Sequence, residues 1–249
     1  MISDIIVTWP KNCDYPLWRQ FVHNERSRFN EIIVAFMEPN QGHNYSDFIK
    51  QSMHQDYVHF LDAPTPRGTE DWRNLAVNAS LLHSYNADWV LFTEQDFYPK
   101  DGFWDGVEQL ENDGCDVIAA YQGKRMHPCC IFVKRTILDK TTKNFGIVPD
   151  VTDHFYLFQR DLGDAGVKIG KIDPKTYHHY NGLSHNWRLV SDGGTPNYVI
   201  NDFVDWLKQS IAVTVPRSPF FDEIANAVII KYGEQKQPIT TPPDHSPTA

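Results

Sequence analysis

Asn86-Ala87-Asp88-Trp89-Val90-Leu91-Phe92-Thr93-Glu94-Gln95-Asp96-Phe97-Tyr98-Pro99 is an apolar run that ends on two carboxylates one residue apart. Trp89 to Phe92 carries no polar residue, the pattern of a strand covered on both faces, and Pro99 is expected to stop the strand beyond the acids. Glu94 and Asp96 then stand at a strand's carboxyl end. Ligands of open α/β sheets bind at that edge, and two hard oxygen ligands there suit a divalent cation such as Mg2+ or Mn2+. An acid-x-acid pair after a strand also arises as a plain loop cap, so the flanking pattern has to decide.

Before this run the pattern alternates strand and helix. Ile5 to Thr8 reads as a first strand closed by Trp9-Pro10, and Glu31 to Phe36 as a second closed by Glu38-Pro39-Asn40, with Leu17, Phe21 and Val22 at helical spacing between them. Strand, helix, strand in this order implies a right-handed crossover and a parallel pair. A third strand is expected at Tyr57 to Leu61, and a helix capped by Thr69 places Trp72, Leu75, Ala76, Ala79 and Leu82 on one face. After the acids, Phe103, Val107 and Leu110 mark a helix, Asp116 to Tyr121 and Cys130 to Lys134 two strands, Phe155 to Ala165 a helix, and Val167 to Ile172 a strand. Helices are expected at Tyr198 to Ile211 and Phe221 to Tyr232. Lys236 to Ala249, with four prolines and little to pack, reads as a disordered tail. The expectation is one α/β domain over residues 1–235, a mostly parallel central sheet with carboxyl-terminal helices from about residue 197.

The chain has 249 residues, of which 41% are apolar, enough for a substantial core. No apolar run approaches the roughly 20 residues of a membrane span. Met1-Ile2-Ser3-Asp4 shows no basic segment leading into an apolar one, so the expected location is cytoplasmic. Cys13, Cys115, Cys129 and Cys130 lack C-x-x-C spacing, which argues against structural zinc and a disulfide framework. The vicinal Cys129-Cys130 pair runs into Ile131-Phe132-Val133, favouring a strand over a redox pair. The net charge of −9 is uneven: residues 1–123 carry −11, residues 124–188 carry +5 and the remainder −3. Lys124, Arg125, Lys134, Arg135, Lys140 and Lys143 supply the basic excess, as a solvated face or as a surface for an anionic partner. No P-loop, G-x-G-x-x-G or G-x-S-x-G is present, which weighs against an NTPase, a nicotinamide enzyme and a serine hydrolase.

Glu94-Gln95-Asp96 after a long apolar strand resembles the D-x-D segment of GT-A fold glycosyltransferases, and the order of later motifs extends the resemblance over about Ile5 to Trp187. Asp153-His154-Phe155-Tyr156-Leu157-Phe158-Gln159-Arg160 is similar to the family's E-D-x-D-L-x-x-R-L helix, with Leu157 and Arg160 on its leucine and arginine, Asp153 on the first acid and His154 replacing the second. The resemblance implies a metal-dependent transferase that moves a sugar from a nucleotide sugar, UDP- or GDP-linked, to an acceptor hydroxyl, with inversion if a base is present. Asp96 would ligate Mn2+ or Mg2+ with Glu94 and one histidine of Tyr177-His178-His179-Tyr180-Asn181-Gly182-Leu183-Ser184-His185.

His178 and His179, as strand neighbours, are not expected to reach the metal together. Asp153 is the favoured base, with His154 and Asp150 as alternatives, and Asp153 is equally placed to cap the helix that follows. The resemblance puts the donor against Thr8, Trp9, Pro10, Glu38, Arg73, Asn78, Glu94 and Gln95. Lys124, Arg125, Lys134 and Arg135 are the expected acceptor residues, for a glycan, a lipid or a hydroxylated DNA base. No obligate protein partner is evident. The rival readings are a sugar nucleotidyltransferase, for which Trp9-Pro10-Lys11-Asn12-Cys13 lacks the expected glycine-rich loop, and a nucleotide-sugar-binding module without activity.

Overall fold

A computed structural model describes residues 2–8, 13–36, 45–53, 55–62, 72–82, 87–145 and 155–233. The elements run β1 (Ile2–Thr8), α1 (Pro16–Asn24), β2 (Phe29–Phe36), α2 (Tyr45–Ser52), β3 (Val58–Asp62), α3 (Trp72–Leu81), β4 (Trp89–Thr93), β5 (Phe97–Pro99), α4 (Phe103–Asn112), β6 (Val117–Gln122), β7 (Arg125–Lys134), α5 (Arg135–Leu138), α6 (Tyr156–Asp164), β8 (Ile169–Lys171), β9 (Tyr177–His179), α7 (Leu183–Ser191), α8 (Ile200–Ile211) and α9 (Pro219–Tyr232). This is the α/β class expected. The expected tail, residues 236–249, lies outside the described residues.

Among the described residues the main sheet has the order β3-β2-β1-β4-β7-β6-β8, and β5 and β9 form a separate two-stranded ribbon. β1 pairs in parallel with both β2 and β4, β2 with β3 and β6 with β8, while β7 is antiparallel to both its neighbours. One reversed strand in an otherwise parallel sheet is the outcome. Because β1 leads to β2 on one side and β4 lies on the other, the carboxyl ends of β1 and β4 flank a topological switch point, where such sheets open a crevice.

Burial on both sides explains why the central strands read as continuous apolar runs. Every residue of β4 is buried. In β2, Ile32, Val34 and Phe36 join one core cluster with helices α1, α4, α7, α8 and α9, and Ile33 and Ala35 join another with α3 and α6. Alternate residues thus serve opposite layers. Trp187, Trp206 and Phe221 are fully buried in the first cluster, so the carboxyl-terminal helices are part of that core.

Several boundaries differ from those expected. β4 ends at Thr93, before the acids, because a turn closed by the Phe97 N–H on the Glu94 carbonyl (3.1 Å) takes over. Pro99 therefore ends β5 rather than β4. β7 begins at Arg125, forming a hairpin with β6 across Gly123 and Lys124; the polar His127-Pro128 interruption hides it in the apolar pattern. α9 starts at Pro219, since the Ser218 hydroxyl accepts from the Phe221 N–H at 3.1 Å and proline suits the first helical turn.

Candidate metal centre and active site

The turn after β4 is fixed on three sides by backbone. The Glu94 N–H donates to the Cys129 carbonyl (3.2 Å), the Phe97 N–H to the Glu94 carbonyl, and the Tyr180 N–H to the Asp96 carbonyl (2.9 Å). Thr93 adds its hydroxyl to the Cys129 carbonyl at 2.9 Å. The ribbon then sets the histidine. β5 and β9 pair Phe97 with His179 and Tyr98 with His178, which lays His179 beside Asp96.

His179 Nε2 lies 3.4 Å from Asp96 Oδ1 and 3.9 Å from Glu94 Oε2, with all three side chains less than a fifth exposed. Ligand atoms of Glu94, Asp96 and His179 all fall within 4.8 Å of one another. Burial works against charge on His179, but Asp96 and then Glu94 outweigh it and hold the imidazole at about 9. Asp96 Oδ1 is buried without a hydrogen-bond partner. A buried carboxylate oxygen that meets an imidazole and stands beside a second carboxylate fits a divalent ion, and the two-oxygen, one-nitrogen set favours Mn2+ over Mg2+.

The other two histidines are not brought to this set. His178 faces away, its ring 4.2 Å from that of Tyr180 and its Nε2 4.0 Å from Asp202 on α8. Its alternation with His179 along β9 is as expected for strand neighbours. His185 lies on α7, not on a strand, and its exposed ring meets Asn197 Oδ1 at 2.9 Å.

Among the expected donor residues, Gln95 turns inward: it is 7% exposed and its amide donates to the Tyr15 hydroxyl at 3.3 Å, tying the acid turn to the segment that follows β1. Asn78 donates to the Lys143 carbonyl at 3.1 Å, joining α3 to the chain after α5. Thr8 ends β1 opposite Phe36, at the sheet edge the acids occupy. The Arg73 side chain, Trp9, Pro10, Glu38, Asp150, Asp153 and His154 lie outside the described residues.

The basic segment is not one surface. β7 spans ten residues, so its ends stand about 30 Å apart at the usual rise. Trp89 pairs with Lys134 and Thr93 with Cys130, which puts Lys134 and Arg135 at the amino end of β4, opposite the acids. There Lys134 pairs with Asp116 (3.1 Å), and Arg135 with Asp139 (3.3 Å). Lys124 and Arg125 remain on the acids' side of the sheet, exposed, with Arg125 over the Tyr156 ring at 5.7 Å. An extended strand thus separates residues that are close in sequence.

No family model matches the sequence, and no curated protein does. Solved structures do. The mannosyltransferase PcManGT of Pyrobaculum calidifontis, in complex with GDP-Man and Mn2+, is similar over 91% of this chain and 68% of its own, at 16% identity and a TM-score of 0.52. A putative nucleotide-diphospho-sugar transferase of Desulfovibrio desulfuricans is similar over 93% and 97%, at 11% identity and 0.50. Glucosyl-3-phosphoglycerate synthase of Mycobacterium tuberculosis, in complex with Mn2+, UDP and phosphoglyceric acid, is similar over 80% of each chain, at 13% identity and 0.50. The chain therefore has the fold of the nucleotide-diphospho-sugar transferases. That fold is GT-A, as the resemblance of the acid motif implied.

Proposed function

We propose that this chain is a metal-dependent glycosyltransferase that moves a sugar from a UDP- or GDP-sugar to an acceptor hydroxyl with inversion. The observation that carries the reading is the convergence of Glu94, Asp96 and His179 at the carboxyl edge of β4, beside the switch point of a GT-A sheet. Those three residues would hold Mn2+ or Mg2+, which when bound supplies positive charge to the departing nucleoside diphosphate.

The chain's own residues do the rest. Asp153 takes the acceptor's proton as the acceptor oxygen bonds to the anomeric carbon and the bond to the diphosphate oxygen breaks on the opposite face. His154 is the second candidate for that proton. Gln95, held by Tyr15, keeps the acid turn in register with the segment after β1, and Thr8, Trp9, Pro10, Glu38 and Arg73 are proposed to receive the nucleotide. For the acceptor, Lys124 and Arg125 stay in the proposal because they share the acids' side of the sheet, and Lys134 and Arg135 leave it. The acceptor classes are a glycan, a lipid or a hydroxylated DNA base, and the net charge of −9 counts against tight nonspecific DNA binding. Among the described residues no helix is long and apolar enough to cross a membrane.

The test is calorimetric binding of UDP and GDP with and without Mn2+, followed by NMR of the anomeric proton in the product. Nucleotide binding that needs Mn2+, and a product of opposite anomeric configuration to the donor, supports the reading. Binding indifferent to metal in the wild type and in Asp96→Ala overturns it.

A further inference from the structure

A second group of ligand atoms converges on the same histidine. Those of His127, Cys129 and His179 all fall within 4.8 Å of one another, and the two imidazole rings stand 4.5 Å apart. An irregularity in β7 builds this convergence. β6 and β7 pair Ala119 with Ile131 and Tyr121 with Met126, so residues 127–130 of β7 face the single residue Ala120 of β6. Bulges re-aim side chains, and Pro128 has no N–H to give to a ladder.

The backbone of the bulge is occupied in holding the acid turn. The Cys129 carbonyl accepts from both the Glu94 N–H and the Thr93 hydroxyl, and the Cys129 N–H donates to His127 Nδ1 at 3.1 Å. That last bond occupies the His127 Nδ1 lone pair, so a metal bound at this nitrogen takes the place of the Cys129 N–H.

We propose that His127, Cys129 and His179 form a second metal site, selective for a thiophilic dication such as Zn2+, that competes with the carboxylate site for His179. Two imidazoles and a thiolate are a zinc set, whereas two carboxylates and one imidazole suit harder Mn2+. His179 is common to both sets. A neutral imidazole offers one nitrogen lone pair, so filling one set denies this ring to the other. Burial keeps the free Cys129 thiol protonated; Zn2+ binding sends that proton to solvent as the sulfur lone pair forms the Zn–S bond. The site escapes a search for C-x-x-C spacing because its third ligand comes from a strand some fifty residues further along the chain. The proposal concerns metal binding alone and holds whether or not the chain transfers sugars.

The experiment is titration of the metal-free full chain with Co2+, read by absorption, and with Zn2+ and Mn2+, read by calorimetry. Wild type gains a sulfur-to-cobalt charge-transfer band in the near ultraviolet, which Cys129→Ser lacks and Cys130→Ser keeps. Zn2+ affinity falls about 10- to 100-fold or more in Cys129→Ser and in His127→Ala, while Mn2+ affinity stays within about threefold of wild type. Asp96→Ala reverses the pattern, keeping the band and losing Mn2+, which separates this site from the carboxylate site. Circular dichroism confirms that each variant is folded. Absence of the band in folded wild type, its persistence in Cys129→Ser, or simultaneous tight binding of Zn2+ and Mn2+ overturns the proposal.

Discussion

Replacing Asp96 with asparagine tests the electrostatics of the carboxylate site with almost no change of shape. The Asp96 backbone carbonyl accepts from the Tyr180 N–H, so the turn keeps this link to the ribbon when the carboxylate is neutralised. His179 is the reporter. Its imidazole is held at about 9 against an ordinary 6.5, a difference worth about 3 kcal/mol, and Asp96 at 3.4 Å contributes more of it than Glu94 at 3.9 Å. In metal-free Asp96→Asn the His179 titration should fall by at least about one pH unit, read by NMR of the ring protons and assigned with His179→Ala. The sign follows for stability. Because the folded value is raised, the His179 contribution is fully present below pH 6.5 and is lost as pH rises through about 9; Asp96→Asn shrinks it over that window. For the metal the sign is opposite. Mn2+ needs the neutral imidazole, so wild-type affinity should climb with pH up to about 9, and in Asp96→Asn it should be weaker by about 100-fold or more. An unchanged His179 titration, with Mn2+ affinity within about threefold of wild type, refutes the reasoning.

Further outcomes are expected. Asp153→Asn should lower turnover by roughly 10²-fold or more with nucleotide affinity unchanged, measured by steady-state kinetics and calorimetry; loss in His154→Ala alone would move the base by one residue. Replacing Lys124 and Arg125 by glutamine should weaken a polyanionic acceptor and flatten its salt dependence, whereas the same change at Lys134 and Arg135 should leave acceptor binding alone and cost only surface ion pairs of about 0–1 kcal/mol each, seen by chemical denaturation. Gly182→Ala should destabilise by about 1–3 kcal/mol: the residue precedes α7 at φ +71°, and an added Cβ would collide with the Tyr198 ring, so the melting temperature should drop.

The strands at the centre of the sheet were legible because burial on both faces writes itself as an unbroken apolar run, as in Trp89 to Phe92 and in Ile32 to Phe36. Strand direction was not: β7 reads as apolar whichever way it runs, and only its hairpin with β6, hidden by His127 and Pro128, sets it antiparallel. The acid pair was legible from its place after β4. Which histidine joins it was not, since the choice depends on the β5–β9 register, a pairing between segments some eighty residues apart. Neighbours His178 and His179 differ only in which face of that ribbon they take. His127 and Cys129 were missed for the same reason, although a proline beside a cysteine at a strand's start was a usable sign of a bulge. The basic stretch was legible as composition but not as a surface, because an extended strand carries residues near in sequence to opposite edges of the sheet.

The most direct measurement is release of nucleoside diphosphate from a panel of UDP- and GDP-sugars by the full chain, with Mn2+ and with chelator, in wild type and Asp96→Asn. Release from at least one donor that needs Mn2+ and disappears in Asp96→Asn is the predicted result. Release that persists undiminished under chelator and in Asp96→Asn would contradict the assignment of Glu94, Asp96 and His179 as the metal centre of a glycosyltransferase.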